Sequence, residues 1–418
     1  MAKPSVIIVG AGIAGLCCAR RLQEAGADYT VVEASDAVGG RMRSDRLDGF
    51  VLDRGFQVLL TAYPECRAVL DYDALELQAF DPGTLIRRGG KFHRLADPWR
   101  RPTKALGSLF SAAGTLGDKW GVARLRSGLR QKSIEEIFAS PERSTLEELE
   151  DQGFSPRIIE SFFRPFLGGV FLDRELATTS RMFEFVFKMF AEGEAALPSG
   201  GIQAIPESVA AGLRPGSVRL GAPVEQVDPG SCLLAGGERL EAEHVVVATD
   251  GTEATRLGRG TAPQWRGTVC FYFDAPEPPL REPVLVLAGE GAGPVNNLCV
   301  VTNVAPATAP AGRTLVSVST VGLTDEDEGE LERAVRGQLR DWFGAAVERW
   351  RLIRAYRIGR ALPALPAGAL DAARGRTGFG GTVVCGDHTF HGSIHGAMLS
   401  GRRAAESILG VRAAAGAM

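Results

Sequence analysis

Apolar positions in this chain come mostly in short runs closed by glycine or an acid. The first, Val6-Ile7-Ile8-Val9, ends in Gly10-Ala11-Gly12-Ile13-Ala14-Gly15 and continues into a helix-forming stretch, Cys17 to Ala25. A continuous apolar run before a glycine-rich turn predicts a strand buried on both faces, followed by a helix. Tyr29-Thr30-Val31-Val32 predicts a second strand, ending at Glu33. His244 to Thr249, leaving at Asp250, and Thr382 to Cys385, leaving at Gly386-Asp387, predict two more buried strands far along the chain. Between them the pattern changes. Residues 133–195 carry helical spacings, with a capping box at Ser144 and Glu147 and eight phenylalanines from Phe162 to Phe190. Pro223 to Val227 and residues 233–240 read as a strand and a small meander. Residues 262–370 give short β-type runs at 268–273, 284–287, 297–301, 314–320 and 353–358. One helix interrupts them, at 325–343, its acidic start suited to a helix N-terminus. Gly392 to Leu409 closes the chain as a helix.

The first turn carries chemistry. Gly10 permits the tight turn, Gly12 lets backbone approach a pyrophosphate, and Gly15 lets helix and strand pack closely. The amides of Ile13 and Ala14 open the helix and face such an anion with the positive end of the helix dipole. Glu33 lies eighteen residues after Gly15, near where an acid holds a ribose 2′-hydroxyl. Gly39-Gly40 permits a second close backbone approach, and Arg41 is placed to clamp a phosphate from outside the turn.

Composition narrows the class. The chain has 418 residues, more than one usual core, so two domains are expected. Net charge is −3 and overall composition gives no sign of nucleic-acid binding. Seven scattered cysteines without a CxxC read as reduced thiols of a cytoplasmic protein. The first strand starts by residue 5, leaving no room for a signal peptide, and no apolar run is long enough to span a membrane. Residues 98–132 hold eight Lys or Arg against one acid, Asp118, with apolar residues interleaved. That segment reads either as a helix packed on its own domain or as a peripheral contact with an anionic membrane.

The order strand, GxGxxG, Glu33, Gly39-Gly40-Arg41 and Asp53-Arg54-Gly55 resembles the flavin-containing amine oxidoreductase superfamily, which includes monoamine oxidases, protoporphyrinogen oxidase and the phytoene desaturase group. The resemblance extends to Pro198-Ser199-Gly200-Gly201, to the strand ending Gly386-Asp387, and to Gly396-Ala397 at the opening of the last helix. It implies an α/β fold: a Rossmann-type FAD-binding domain with an inserted α+β substrate domain. The FAD domain would comprise 1–85, 200–255 and 375–418. The substrate domain would comprise 86–199 and 256–374, its helical part at 133–195. Gly55, Phe56, Val224, Gly386, Asp387, Ile394, Gly396 and Ala397 would join the first-turn residues at the cofactor. Val224 would meet the adenine, and Asp387 ribityl or phosphate oxygens. The amides of Gly396 and Ala397 would stabilise charge on the reduced flavin. FAD would be non-covalent, because no cysteine stands in the few residues before Gly392.

Two departures bear on substrate. Amine oxidases of the superfamily usually carry a lysine near flavin N5, whereas here none follows Lys188. They also often place an aromatic before the Gly-Ala pair, where this chain has Ser393-Ile394-His395. The expectation is therefore hydride transfer from a hydrophobic substrate to flavin N5, with reoxidation by oxygen or a quinone. Phe183, Phe187, Phe190 and Ser393 would line the pocket. His395 is the candidate catalytic group, alongside a purely structural role. No metal site is expected at His388, His391 and His395. Three rivals stand beside this reading: an amine oxidase without the usual lysine, a redox-neutral double-bond isomerase, and a non-catalytic FAD-bound lipid carrier.

Overall fold

A computed structural model describes residues 5–96, 114–291, 293–374, 378–379 and 382–411. The buried apolar runs assemble first. Ser5–Val9 is the centre of a six-stranded sheet in the order 218–219, 28–32, 5–9, 244–247, 382–384, 378–379. The first five strands are parallel, and Gly378–Phe379 closes the edge antiparallel. Val6 to Val9 are buried on both faces, which is why the run is apolar without alternation.

The helix Ile13–Glu24 packs along the last helix, Ile394–Ile408, and bare backbone sets their approach. A Cβ on Gly401 would stand 2.0 Å from the carbonyl oxygen of Ala14. One on Gly15 would stand 2.0 Å from that of Gly10.

A second sheet has seven strands, in the order 351–363, 265–275, 314–320, 295–300, 285–288, 83–88, 91–96. It is antiparallel except where Leu285–Ala288 meets Gly83–Arg88. Its strands are longer than the apolar runs suggest: Trp265–Ala275 and Arg351–Pro363 extend beyond 268–273 and 353–358 because backbone pairing, not side-chain pattern, carries their ends. Glu328–Phe343 covers one face and starts three residues later than the acidic run, because Asp327 is its N-cap. The helical layer includes Leu116–Gln131, Arg164–Phe171 and Ser180–Glu192, with a π-helical turn at Ile159–Phe163.

In the basic segment, residues 98–113 lie outside the described chain. The rest forms Leu116–Gln131, where Asp118, the single acid, completes a capping box with Thr115. Leu125 and Leu129 are buried, Arg124 and Arg126 donate to the carbonyls of Gln152 and Ala191, and Lys132 pairs with Glu184. These contacts fit a helix packed on its own domain. Trp120 stands 80% exposed. Among the described residues no helix is long and apolar enough to cross a membrane. All seven cysteines are buried free thiols.

Candidate cofactor and active site

Three turns meet at the C-terminal ends of the parallel strands, where α/β sheets bind ligands. In the first, Gly10 has φ +108°, and a Cβ there would press on the carbonyl of Ala248 at 2.8 Å. Gly12 differs: its backbone is ordinary extended (φ −68°, ψ 171°), and among the described residues beyond its own chain neighbours no atom lies within 4 Å of a Cβ built on it. It faces open space, and the helix it starts has no side-chain cap. Other helix starts use Thr115, Ser133, Ser144, Asp250, Asp327 and Ser393 for that purpose.

Glu33 is brought to this turn. Its carboxylate accepts from the amide of Ala11 at 2.7 Å and from the amide and hydroxyl of Ser35 at 2.9 and 2.7 Å. The second turn docks on the first: Gly39 (φ +119°) donates to the carbonyl of Ala11 at 2.9 Å, and Gly39 bridges Gly12 in parallel register. Ala222 donates to the carbonyl of Glu33, and Val224 stands two residues on, its own carbonyl taken by Arg256 at 2.6 Å. In the third turn, Asp387 is buried and pairs with Arg41 at 2.5 Å. The other arm of Arg41 donates to the carbonyl of Ala361 at 3.0 Å, and its guanidinium lies over the Trp265 ring at 5.4 Å.

A dinucleotide fits this donor set. An uncapped helix start, an open Gly12 and the Arg41 guanidinium suit a pyrophosphate, and Glu33 beside Ala222–Val224 suits an adenosine ribose. Gly55 (φ +91°) packs its turn on Ile358, and Phe56 meets Phe80 edge-on.

The last helix departs from the expectation. Ser393 is its N-cap: the Gly396 amide donates to the Ser393 hydroxyl at 2.9 Å, and the Ala397 amide to the Ser393 carbonyl at 3.0 Å. Those two amides are spent inside the cap and do not face a ligand. Among the described residues no acceptor is recorded for the amides of Ile394 and His395, the remaining donors of that turn.

His395 is 2% exposed, with its ring stacked on Tyr63 and tilted against Phe185. Its Nδ1 accepts from the Glu65 amide at 3.3 Å. Burial, helped by Arg402 and Arg403, pushes its pKa down to about 4, so it is neutral at neutral pH. His391 and His395 stack at 5.6 Å instead of converging. Both ring nitrogens of His388 are buried without a hydrogen-bond partner among the described residues, and burial lowers its pKa.

Phe183 is fully buried between Phe163 and Phe187, so its ring has no surface to offer a substrate. Phe187 and Phe190 share its helix face and keep part of their surface, Phe190 against Phe166. Lys188, the last lysine, is spent structurally. Its ammonium caps the carbonyls of Leu129 and Arg130 and pairs with Glu192 at 2.6 Å.

Sequence reasoning missed three contributors. Asp53 ties its turn to the next, accepting from the Ser44 hydroxyl at 2.6 Å and the Ile202 amide at 2.9 Å. The Asp-x-Gly motif holding it was legible, but its partner 149 residues away was not. Trp265 and Ala361 carried no local signal, because only the tertiary fold brings them to Arg41.

The family model for flavin-containing amine oxidoreductases matches residues 13–409. Protoporphyrinogen oxidase 2 of Arabidopsis thaliana is 30% identical over 165 residues, which is 39% of this chain and 32% of that protein. Polyamine oxidase 1 of Oryza sativa subsp. japonica is 30% identical over 334 residues, 71% of this chain and 61% of that protein. The chain thus aligns with about a third of the first relative and three fifths of the second. In fold, it superposes on a putrescine oxidase variant with a TM-score of 0.74 at 20% identity, covering 98% of this chain and 99% of the other. The chain belongs to the flavin-containing amine oxidoreductase family, FAD-dependent oxidoreductases of mixed α/β fold, and FAD is the dinucleotide its three turns fit.

Proposed function

We propose that this chain dehydrogenates a hydrophobic small molecule. When bound, non-covalently on this reading, FAD supplies the two-electron acceptor for a substrate C–H, and oxygen or a quinone takes the electrons onward. Gly12, Ile13, Ala14 and Arg41 would hold the pyrophosphate and Glu33 the ribose. Asp387, now paired with Arg41, would turn to ribityl or phosphate oxygens. Residues 1–85, 200–255 and 375–418 form the cofactor domain on this reading, and the remainder the substrate domain.

The observation that carries the substrate class is the fate of Lys188. The one late lysine is buried in a helix-capping role, and residues 189–418 carry no lysine to serve at the flavin. Ser393, where an aromatic would stand, is committed to capping the last helix. Phe187 and Phe190 instead offer apolar surface, with Phe183 as their support, and apolar binding draws on area burial at about 25 cal/mol per Å². We assign His395 to the aromatic core behind the cap and not to proton transfer.

A second reading, an amine oxidase working without that lysine, is favoured by the similarity to polyamine oxidase 1 over 71% of this chain. Anaerobic reduction of the flavin by candidate substrates separates the two. Within the described part of the segment 98–132, residues 114–132, any membrane contact would rest on Trp120 and exposed basic groups, since Leu125 and Leu129 face the core. It would accordingly be reversible and sensitive to salt.

A further inference from the structure

Arg41 does more than face the phosphate turn. One arm of its fork pairs with Asp387 and the other holds the carbonyl of Ala361, while the plane lies over Trp265. Ala361 and Trp265 belong to the two long neighbouring strands of the seven-stranded sheet, at the end where Trp265 pairs with Pro363 and Arg266 with Leu362. That strand end touches the starts of two helices. Leu362 and Pro363 abut Gly392, one residue before the cap of the last helix. The carbonyl of Leu365 accepts from the Thr179 amide at 2.9 Å, and Pro366 bridges Thr178, at the start of the helix carrying Phe183, Phe187 and Phe190. Trp265 is itself fixed, its indole donating to Thr252 at 2.8 Å.

We propose that Arg41 is a positioning residue that couples occupation of the pyrophosphate site to the seating of this strand end, and so of the substrate site behind it. A guanidinium has five donors in one plane. The arm now on Asp387 can turn to a phosphate oxygen while the other stays on Ala361 and the plane stays on Trp265. The phosphate then takes the place of Asp387 opposite the Ala361 carbonyl, and the fork links the cofactor directly to the strand end. Lysine keeps the charge but is a single point, and cannot hold a phosphate and the Ala361 carbonyl in that geometry. The inference rests on FAD binding at the three turns, and its test measures that binding separately.

Hydrogen–deuterium exchange is followed in peptides covering 8–16 and 357–366, without and with saturating FAD, in the wild type and Arg41→Lys. Bound FAD is counted by flavin absorbance. In the wild type, FAD slows exchange at least tenfold in both peptides. In Arg41→Lys at full FAD occupancy, 8–16 is protected as in the wild type and 357–366 exchanges at its cofactor-free rate. Trp265→Phe, which keeps an aromatic face and the Ala361 contact, retains the protection of 357–366. Protection of 357–366 in Arg41→Lys equal to that of the wild type overturns the coupling, as does its absence in the FAD-loaded wild type. Failure of the wild type to bind FAD would instead overturn the cofactor assignment, and the coupling with it.

Discussion

Gly12→Ala separates what the fold needs from what the cofactor needs. The backbone at Gly12 is open to any residue, and among the described residues nothing beyond its chain neighbours lies within 4 Å of the added Cβ. Loss of glycine at a compatible site stabilises by about 0.4–1 kcal/mol through the unfolded chain, and alanine is poorer than glycine as an N-cap by about 1 kcal/mol, so the two nearly offset. The cofactor-free variant should therefore melt within a few degrees of the wild type. The same methyl group projects into the space between the uncapped helix start and Arg41. Overpacking of that kind costs about 1–3 kcal/mol, or roughly five- to more than a hundredfold in affinity for FAD. Gly15→Ala is the contrast, because its Cβ would stand 2.0 Å from a backbone oxygen and should impair folding with or without cofactor. Thermal melts of the cofactor-free proteins and titration by quenching of flavin fluorescence read the two effects apart. A Gly12→Ala protein that binds FAD as tightly as the wild type would refute the reasoning, as would one that fails to fold.

Two further outcomes follow from named contacts. Glu33→Ala removes the carboxylate that meets Ala11 and Ser35 and would meet a ribose, and should weaken FAD by roughly 1–3 kcal/mol in the same titration. His395, at about 4 in the folded chain against 6.5 as a free side chain, is protonated first in the unfolded state. Its contribution to stability is therefore complete above pH 6.5 and is lost as pH falls toward 4, by up to about 3 kcal/mol. Urea denaturation across that range should show a shallower loss in His395→Gln than in the wild type, and an equal slope would show that His395 is not the titrating group.

The parallel sheet was legible because its strands are buried on both faces and end in glycine turns, two signals that reinforce each other in the local sequence. Glu33 was placed correctly beside the first turn for the same reason: spacing along one βαβ unit is local. The last helix was harder. Gly396 and Ala397 look like donors by position, yet Ser393, three residues earlier, satisfies one through its side chain and the other through its carbonyl. The motif showed where the turn lies and not which amides remain open. His395 likewise precedes the Gly-Ala pair, but helical rotation turns its ring away toward Tyr63 and Glu65, residues more than three hundred positions earlier. Phe183 belongs to a helix face that spacing located, and only the packing of Phe163 against it shows that its ring is sealed. The strands Gly83–Arg88 and Lys91–Ala96 gave no clean alternation, because one pairs in parallel inside a mixed sheet and the other lies on its edge.

The substrate class is the claim most open to direct attack. Purified FAD-loaded protein, held anaerobically, is mixed with benzylamine, spermine, an amino acid, and a panel of unsaturated or alicyclic apolar compounds, and the flavin absorbance is followed. With Lys188 buried as a helix cap and Ser393 committed to the last helix, the amines should leave the flavin oxidised while at least one apolar compound bleaches it. Rapid bleaching by an amine, with none from the apolar panel, would contradict the dehydrogenation of a hydrophobic substrate and establish the amine-oxidase reading in its place.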